Sequence, residues 1–339
     1  MTESSGRIDL SFACTKYDRT AAILDGTVKP DGINLISTST TRPGEIFWRM
    51  LLHEEFDCSE MSLSSYSIVK TLGKKDWQGI PAFTARRFFN VDPIVTVDSG
   101  IKEPKDLEGK KVGVPEYQMS AAVWIRGILH DEYDVRPEKI QWYVGRRRDL
   151  TREKVTGIEA PPNVHLTFLE NTSIGEALLS GKLDAALLHI SIPSLVDSTS
   201  PDLSSNPRIR TLFPDPKAEA IRYFKKTGVI PINHTIVIKN SVHQKYPWAA
   251  TNMFKALEES KLRAYEMWRD LEDWEKFSSA YFVSDLIKEQ RKLFGDDPFP
   301  YGLSKNRRSL ETLGRYLFEQ GLVPVMPDYD KMFAAQIPF

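Results

Sequence analysis

The sequence predicts an α/β fold of two lobes that face each other across a cleft, and three observations support this prediction. Strand-like and helix-like segments alternate along the chain, which is typical of sheets covered by helices. The chain has 339 residues, which favours about two domains rather than one core. Residues 50–57 and 177–184 share Leu-Leu, a polar stretch, an apolar residue and Asp. We therefore expect two units of similar build, unless this match between common α/β sequences is accidental.

Each predicted strand is a short run of apolar and β-branched residues bounded by turn-forming residues. The strands are predicted at 8–14, 33–39, 57–62, 80–85, 93–98, 111–115, 139–144, 164–170, 183–190 and 235–240. Each predicted helix carries apolar residues at helical spacing, as Phe47, Met50 and Leu51 do in the second helix. The helices are predicted at 17–26, 44–56, 64–73, 119–130, 173–181, 248–270, 272–293 and 304–320. Residues 146–163 are charged and rich in proline, so we expect a surface excursion there.

The composition argues against several classes of function. The net charge is −1 and no basic block is present, so nucleic acid is not an expected partner. No apolar run approaches the roughly 18 residues of a membrane helix, and MTESSGRIDL lacks the features of a signal peptide. We therefore expect a cytoplasmic protein, with Cys14 and Cys58 as reduced thiols. No zinc-like Cys/His spacing and no Gly-rich dinucleotide fingerprint occur, so neither a metal nor an organic cofactor is expected.

Polar residues follow several predicted strands, where ligands bind in α/β sheets. Ser62, Ser64 and Ser65 come after the third strand and next to a helix start. Their hydroxyls and amides can bind an anion or a ring hydroxyl, although capping of the helix is an alternative role. Arg19 follows the first strand, where it either faces the cleft or pairs with a nearby aspartate.

A second group of candidates lies in the stretch KKVGVPEYQMSAAVWIRGIL, residues 110–129. Its strand ends at Pro115, so Glu116, Tyr117, Gln118 and Ser120 are expected at the positive end of the next helix. Backbone amides there can hold a carboxylate, Tyr117 can contact an aromatic ring, and Glu116 either carries a proton or only stabilises the helix. Further along this helix, Arg126 is expected to form a buried ion pair or to be a cation of the cleft.

Several stretches resemble the 4,5-dihydroxyphthalate decarboxylase family. They are SEMSLSSY (59–66), KEPKDLEGKKVGVPEYQMSAAVWIRGIL (102–129), RTLFPD (210–215), TGVIPINH (227–234) and YPWAA (246–250). The resemblance runs from about residue 8 to 265 and implies a type 2 periplasmic-binding-protein-like fold. Lobe I would contain 1–96 and 233–339, and lobe II would contain 97–232. The strands at 93–98 and 235–240 would be the hinge crossovers.

The resemblance also implies an activity, the decarboxylation of a hydroxylated aromatic acid such as 4,5-dihydroxyphthalate to protocatechuate. Such a reaction needs a proton donor for the ring carbon that loses CO₂, and His234 in the family's PIxH pattern is our first candidate, with Glu116 next. Arg19 and Arg86 would bind carboxylates through their planar guanidinium groups. His189 is expected near the end of its strand, where it either reaches the cleft or packs. The long helical C-terminal part is expected to serve contacts in a homo-oligomer.

Two alternatives remain open from the sequence. A non-catalytic solute-binding protein of a transporter or sensor would share the fold. A related lyase or isomerase for another small acid is suggested by Phe89 and Asn90, and by the stretch 189–194, where the family pattern has cationic residues.

Overall fold

The chain folds into two β-sheets with helices around them. The computed structural model describes residues 6–334, apart from 159, 191–193, 195, 198–199, 275 and 277. The strands are β1 Ile8–Thr15, β2 Ile33–Thr40, β3 Cys58–Ser62, β4 Trp77–Arg86, β5 Ile94–Thr96, β6 Lys111–Val114, β7 Gln141–Val144, β8 Leu166–Phe168, β9 Ala185–Ala186, β10 Ile209–Thr211 and β11 Ile232–Lys239. The helices are α1 Asp18–Leu24, α2 Pro43–His53, α3 Leu63–Thr71, α4 Ser120–Tyr133, α5 Glu153–Thr156, α6 Ile174–Leu179, α7 Pro216–Thr227, α8 Asn240–Lys245, α9 Trp248–Asp273, α10 Val283–Phe294, α11 Arg307–Glu319 and α12 Tyr329–Met332.

The two sheets confirm the predicted α/β organisation in two parts. The first sheet has the order β2-β1-β3-β11-β4, and the second has the order β10-β5-β9-β6-β7-β8. In the first, β1 runs parallel to β2 and β3, whereas β11 runs antiparallel to β3 and β4. The chain passes between the sheets at 87–93 and at 212–231. The two strands expected as hinges each belong to one sheet, β5 to the second and β11 to the first, and the lobe boundaries at 96/97 and 232/233 stay a prediction.

The repeated pattern at 50–57 and 177–184 has a matching structural role in the two sheets. In the first sheet, Asp57 Oδ2 accepts a hydrogen bond from the backbone amide of Ser11 at 3.0 Å. In the second, Asp184 Oδ2 accepts one from the backbone amide of Lys111 at 2.9 Å. Each aspartate thus precedes a central strand and satisfies an amide of the neighbouring parallel strand. The similarity in sequence therefore corresponds to an equivalent hydrogen bond between neighbouring strands in each sheet.

Several elements differ from the sequence-based expectation. The strands predicted at 164–170 and 183–190 are shorter, and the helix predicted at 272–293 begins only at Val283. Helix α7 was not predicted, although the Asp215 side chain accepts a hydrogen bond from Ala218 N at 2.9 Å as its N-cap and Pro216 is its first residue. Its apolar stripe is interrupted by lysines and arginine, which hid the helical period.

Helix α4 joins the two halves of the molecule, that is, the parts built on the first and on the second sheet. Trp124 is fully buried, and its indole nitrogen donates to the backbone oxygen of Ile232 at 2.8 Å. Gly127 faces the ring of Tyr316 on α11, and a Cβ atom at this glycine would lie 2.3 Å from the ring. This close approach explains why a residue of low helix propensity occurs inside α4. The contact holds α11, which also packs on α3, against the second half of the molecule.

Candidate active site

A cavity of about 350 Å³ lies where residues of both sheets meet. Four of the residues expected at the site line it, namely Ser62, Ser120, His189 and His234. Its size falls within the range of roughly 300–1,000 Å³ that is usual for small-molecule sites. This cavity is therefore the candidate active site.

His234 lies near the start of β11, and two features of the strand direct its side chain. The pairing of β11 with β3 places His234 opposite Ser62, at the end of β3. The pairing of β11 with β4 shifts register on both sides of His234. Irregularities of this kind re-aim side chains next to functional sites. The imidazole is almost completely buried, lines the cavity, and packs edge-on against Phe47 with ring centroids 4.7 Å apart.

Glu60 on β3 holds the imidazole of His234. The Glu60 carboxylate lies 2.9 Å from His234 Nδ1, and it accepts hydrogen bonds from the Tyr17 hydroxyl at 3.1 Å and the Thr84 hydroxyl at 2.8 Å. Its second oxygen accepts from the backbone amide of Thr15 at 2.9 Å. The carboxylate is therefore fully satisfied although none of it is exposed.

The environment of Glu60 favours its charged form. Burial alone would raise the pKa of this carboxyl group, but the charge of His234 and the hydrogen bonds from His234 and Thr15 outweigh burial. Together they lower the pKa to about 2. Burial and the nearby Glu60 charge raise the pKa of Tyr17 well above its ordinary value. Tyr17 thus stays a neutral donor, and the charge that faces the histidine is the carboxylate.

The second nitrogen of His234 points to Asn233. Asn233 Nδ2 lies 2.8 Å from His234 Nε2. In the neutral imidazole, Nδ1–H donates to Glu60 and Nε2 accepts from the amide of Asn233. Glu60 therefore selects the tautomer in which Nε2, the nitrogen next to Asn233, carries no proton. Asn233 also lines the cavity.

Two buried arginines form the other polar wall of the cavity. Arg146 donates to Glu116 and binds Asp197 at 2.7 Å, and Arg152 lies 3.1 Å from Glu116. The backbone amide of Arg152 also donates to Glu116 at 2.7 Å. Burial by itself would lower the pKa of both guanidinium groups. At Arg146 the negative charges of Glu116 and Asp197 outweigh burial, so its pKa is raised. At Arg152 burial dominates, so its pKa is lowered. Glu116 thus anchors two cations at the cavity rather than lining it.

Arg152 also connects the two sheets. Its Nη1 donates to the hydroxyl of Ser62 at 3.1 Å and to that of Ser65. Among the residues that the structure describes, Nη2 of Arg152 has no hydrogen-bond partner. This nitrogen is therefore available to a ligand in the cavity.

The serines expected at the site form a hydroxyl cluster between the two halves of the molecule. The Ser62 and Ser120 hydroxyls lie 2.8 Å apart, and the backbone amide of Ser64 donates to the Ser120 hydroxyl at 3.0 Å. The Ser64 hydroxyl donates to the backbone oxygen of Gln118 at 2.7 Å. Since Ser62 and Ser64 belong to the first half and Ser120 to the second, these bonds hold the cleft closed.

Other expected site residues lie outside the cavity. Arg86 donates to Asn306 at 2.9 Å, and burial lowers its pKa to about 10. Arg19 donates to the backbone oxygen of Thr84 and lies 4.1 Å from the ring centre of Tyr17. Tyr117 stacks under Arg126.

Gln118 and His189, the last two of the expected site residues, lie in different places relative to the cavity. The Gln118 amide donates to the backbone oxygen of Ile158 at 2.5 Å, outside the cavity lining. His189 Nε2 lies 3.0 Å from the Ser200 hydroxyl, and burial lowers the pKa of this histidine. Of the stretch 189–194, residues 191–193 lie outside the described part of the chain.

The remaining wall of the cavity is apolar, and its rim is basic. Phe47, Phe89, Met119, Leu188 and Ile190 contribute the apolar surface, and Arg42 and Arg87 lie at the exposed rim. Phe89, noted in the sequence as a departure from the family pattern, is thus part of the surface that can hold a ring. Arg42 adds positive charge at the rim that favours an anionic ligand, while Arg87 is paired with Asp92.

The sequence analysis missed Glu60, Arg146 and Arg152. Arg146 and Arg152 stand in the segment expected to be a solvated excursion, yet both are buried. A signal for Arg146 was available, because it follows the carboxyl end of β7 just as Glu116 follows that of β6. Glu60 is a charged residue inside a strand that is buried throughout, and such a residue needs a partner.

Within the described ranges, no group of three or more His, Cys, Asp or Glu side chains could hold a metal ion. No helix there is long and apolar enough to cross a membrane. Cys14 and Cys58 are buried thiols, and burial raises the pKa of both.

Comparisons with known proteins give consistent relatives and a consistent fold. No protein-family model matches the chain. The chain is 33% identical over 301 residues to a 4,5-dihydroxyphthalate decarboxylase of Comamonas testosteroni, covering 88% of each chain. It is 30% identical over 220 residues to a 4,5-dihydroxyphthalate decarboxylase of Pseudomonas putida, covering 65% of this chain and 82% of the relative.

Solved structures with a similar fold include two sulphonate-binding proteins. The periplasmic aliphatic sulphonate binding protein SsuA of Escherichia coli matches with a TM-score of 0.53 and 11% identity, over 97% of this chain and 98% of the other. The alkanesulfonate-binding protein SsuA of Xanthomonas axonopodis pv. citri matches with a TM-score of 0.52 and 9% identity, over 98% of both chains. These matches confirm the predicted periplasmic-binding-protein-like fold.

Proposed function

Because the chain belongs to the 4,5-dihydroxyphthalate decarboxylase family, we propose that it converts 4,5-dihydroxyphthalate to protocatechuate and CO₂. The observation that carries this proposal is a buried, carboxylate-held histidine in a cavity that also contains a cation with a free donor. His234 supplies the proton, and Arg152 binds the carboxylate that the product keeps. The apolar wall around Phe47 and Phe89 holds the ring.

The proton transfer follows from the contacts of His234. In the imidazolium form Nε2 is a donor, so the Asn233 amide turns its oxygen towards this nitrogen or moves aside. Nε2–H then protonates the ring carbon that carries the leaving carboxylate, and a hydroxyl para to that carbon donates electrons into the ring. The bond from the ring carbon to the carboxylate then breaks, its electron pair restores the aromatic ring, and CO₂ leaves. His234 is left neutral and takes a proton from solvent. One proton is consumed for each CO₂ released.

Glu60 acts through His234 and is a positioning residue. Its charge stabilises the imidazolium, and its bond to Nδ1 keeps Nε2 directed towards the cavity. The fixed donors from Thr84, Tyr17 and Thr15 prevent the carboxylate from turning away. We therefore assign proton transfer to His234 and orientation to Glu60.

The retained carboxylate would bind to the free Nη2 of Arg152, since a guanidinium group matches a carboxylate well. Glu116 supports this role because it holds Arg146 and Arg152 in place, and we propose this function for it instead of proton transfer. Arg19 and Arg86 would support the site from behind its wall, through their contacts with Thr84 and Asn306. We place the reaction in the cytoplasm.

The test is incubation of purified, chelator-treated protein with 4,5-dihydroxyphthalate and with a panel of hydroxybenzoates, with CO₂ and product followed over time. We expect CO₂ from 4,5-dihydroxyphthalate, and no CO₂ from a His234→Ala variant. The matched control is His243→Ala, because His243 lies beyond the other end of β11 and should leave turnover unchanged. Saturable binding without CO₂ from any compound, even after divalent metals are added, would contradict the proposal and favour a solute-binding protein.

A further inference from the structure

A second and larger cavity, of about 490 Å³, lies between α4 and α11. It shares no lining residue with the cavity of His234. Its wall includes Tyr117 and Arg126 from one half of the molecule and Tyr316 and Gln320 from the C-terminal helices. Arg126 was expected either in a buried ion pair or as a cation of the cleft; it does not line the cavity of His234, and no ion pair of Arg126 occurs among the described residues.

Arg126 is a buried cation without a counter-ion among the described residues. Only 1% of it is exposed. Its Nε donates to Gln320 at 2.9 Å, its Nη2 donates to the backbone oxygen of Tyr117 at 2.8 Å, and its Nη1 is buried with no hydrogen-bond partner. The guanidinium carbon stacks 3.6 Å from the ring centre of Tyr117. Stacking and two neutral acceptors therefore hold the charge in place but do not neutralise it.

An uncompensated buried cation is costly, and an anion beside it would recover much of that cost. Burial lowers the pKa of Arg126, which reflects the same desolvation. Arg126 still keeps its charge, because guanidinium groups remain protonated in proteins. A carboxylate that entered the cavity would give the unpartnered Nη1 an acceptor and the cation a counter-ion. Since Nη1 is itself covered, the side chains around it would have to move for a ligand to reach it.

The other walls of the cavity indicate which carboxylate fits. Tyr117, Tyr316, Pro161 and Pro162 provide flat apolar surfaces suited to an aromatic ring. The exposed acids Glu138 and Glu319 also line the cavity. Glu319 is paired with Arg315 at 2.9 Å, so Glu138 is the acid that repels a second negative charge. Either carboxylate can accept a hydrogen bond from a ring hydroxyl. The lining therefore favours a ligand with one carboxylate on an aromatic ring over a dicarboxylate or a phosphate.

We infer that this cavity is a second binding site, for a small aromatic monocarboxylate whose carboxylate pairs with Arg126. A ligand bound there contacts α4 on one side and α11 on the other. It therefore stabilises the packing between these helices, which join the two halves of the molecule. The inference stands on this cavity alone and does not depend on the activity proposed above.

The experiment titrates the full-length protein with 3,4-dihydroxybenzoate and maps the bound state by amide hydrogen exchange. The wild-type protein should show protection in α4, in residues 160–164 and in α11, and binding should be observed by calorimetry. The uncharged 3,4-dihydroxybenzyl alcohol should give no protection there, because it cannot pair with Arg126. Arg126→Met should weaken binding at this site by about 30-fold or more, as expected when one partner of a buried charge pair is removed.

A second variant keeps the test valid if Arg126→Met fails to fold. Val164→Trp places a large side chain in the cavity and leaves Arg126 intact, so it should abolish protection at α11. Two results would overturn the inference. One is that the wild-type protein shows no protection of α4 and α11, and the other is that this protection is unchanged in Val164→Trp. CO₂ release from 4,5-dihydroxyphthalate is measured separately, so failure of the proposed activity and failure of this site give different results.

Discussion

Replacing Glu60 by glutamine should remove the charge that faces His234 while nearly keeping the shape of the side chain. Burial would raise the pKa of Glu60, but its partners lower the pKa from 4.5 to about 2. The difference between these values corresponds to about 3 kcal/mol. The interaction with His234 is one part of this shift, beside the hydrogen bonds from Thr15 and the opposing effect of burial. On this scale, loss of the charge that faces the imidazolium should lower the rate by roughly two orders of magnitude.

Steady-state kinetics on 4,5-dihydroxyphthalate measures this effect. In Glu60→Gln, we expect kcat to fall about 10²-fold, with KM within about threefold of the wild-type value, because Glu60 does not contact substrate. The matched control is Asp57→Asn. Asp57 lies just before the same strand and binds Ser11 at 3.0 Å, so its loss should lower stability without lowering kcat.

The same variant has a signature in the pH dependence of stability. The pKa of Glu60 is lower in the folded protein, so its contribution is fully present above pH 4.5 and is lost as pH falls towards 2. Between these values, the free energy of unfolding should fall by about 3 kcal/mol less in Glu60→Gln than in the wild-type protein. Urea titrations across this range measure the difference. A folded Glu60→Gln variant with kcat within about threefold of the wild type would refute the role that we assign to Glu60.

Three further predictions concern other parts of the molecule. Arg152→Met should raise the Kd for 4,5-dihydroxyphthalate by about 30-fold or more. Arg147→Met in the same loop is the control and should leave the Kd unchanged, because Arg147 is exposed and pairs with Asp149. Equal Kd values for the two variants in calorimetry would argue against Arg152 as the carboxylate ligand. Gly127→Ala should lower the free energy of unfolding by about 1–3 kcal/mol, since its Cβ would meet the ring of Tyr316, and unchanged stability in urea titration would show that this packing is looser than described. His234→Ala should abolish turnover in the CO₂ assay while the Kd stays within about tenfold, and surviving turnover would show that another group delivers the proton.

Much of the fold could be predicted from sequence, because hydrophobic period and turn residues are local properties. The repeated Asp57 and Asp184 pattern even indicated the two-part design, since both residues serve the same local hydrogen bond. The predicted hinge strands were a harder case. Which sheet a short strand joins depends on partners far along the chain, and β5 pairs with β9 and β10.

The candidate site was predicted in part, and the misses have one physical cause. Loops that follow strands indicated Ser62, Ser120 and His189, and the family resemblance indicated His234; all four line the cavity. Arg146 and Arg147 are neighbours in sequence, yet one is buried and the other is exposed. The tertiary positions of Glu116 and Asp197 decide between them, so charge and composition alone described the whole segment as a surface excursion.

The hydroxyl cluster of Ser62, Ser64 and Ser120 has a consequence for how long the cleft stays shut. Hydroxyl groups both donate and accept, so each contact that breaks when the two halves separate is replaced by one to water at small net cost. Within the described part of the chain, the charged group that bonds to this cluster is Arg152, so ionic strength should affect the dwell time of the closed form weakly. A receptor benefits from a long dwell time, whereas a catalyst must discard its product in every cycle. A contact between the two halves that consists mainly of serine hydroxyls suits the release of product in every cycle.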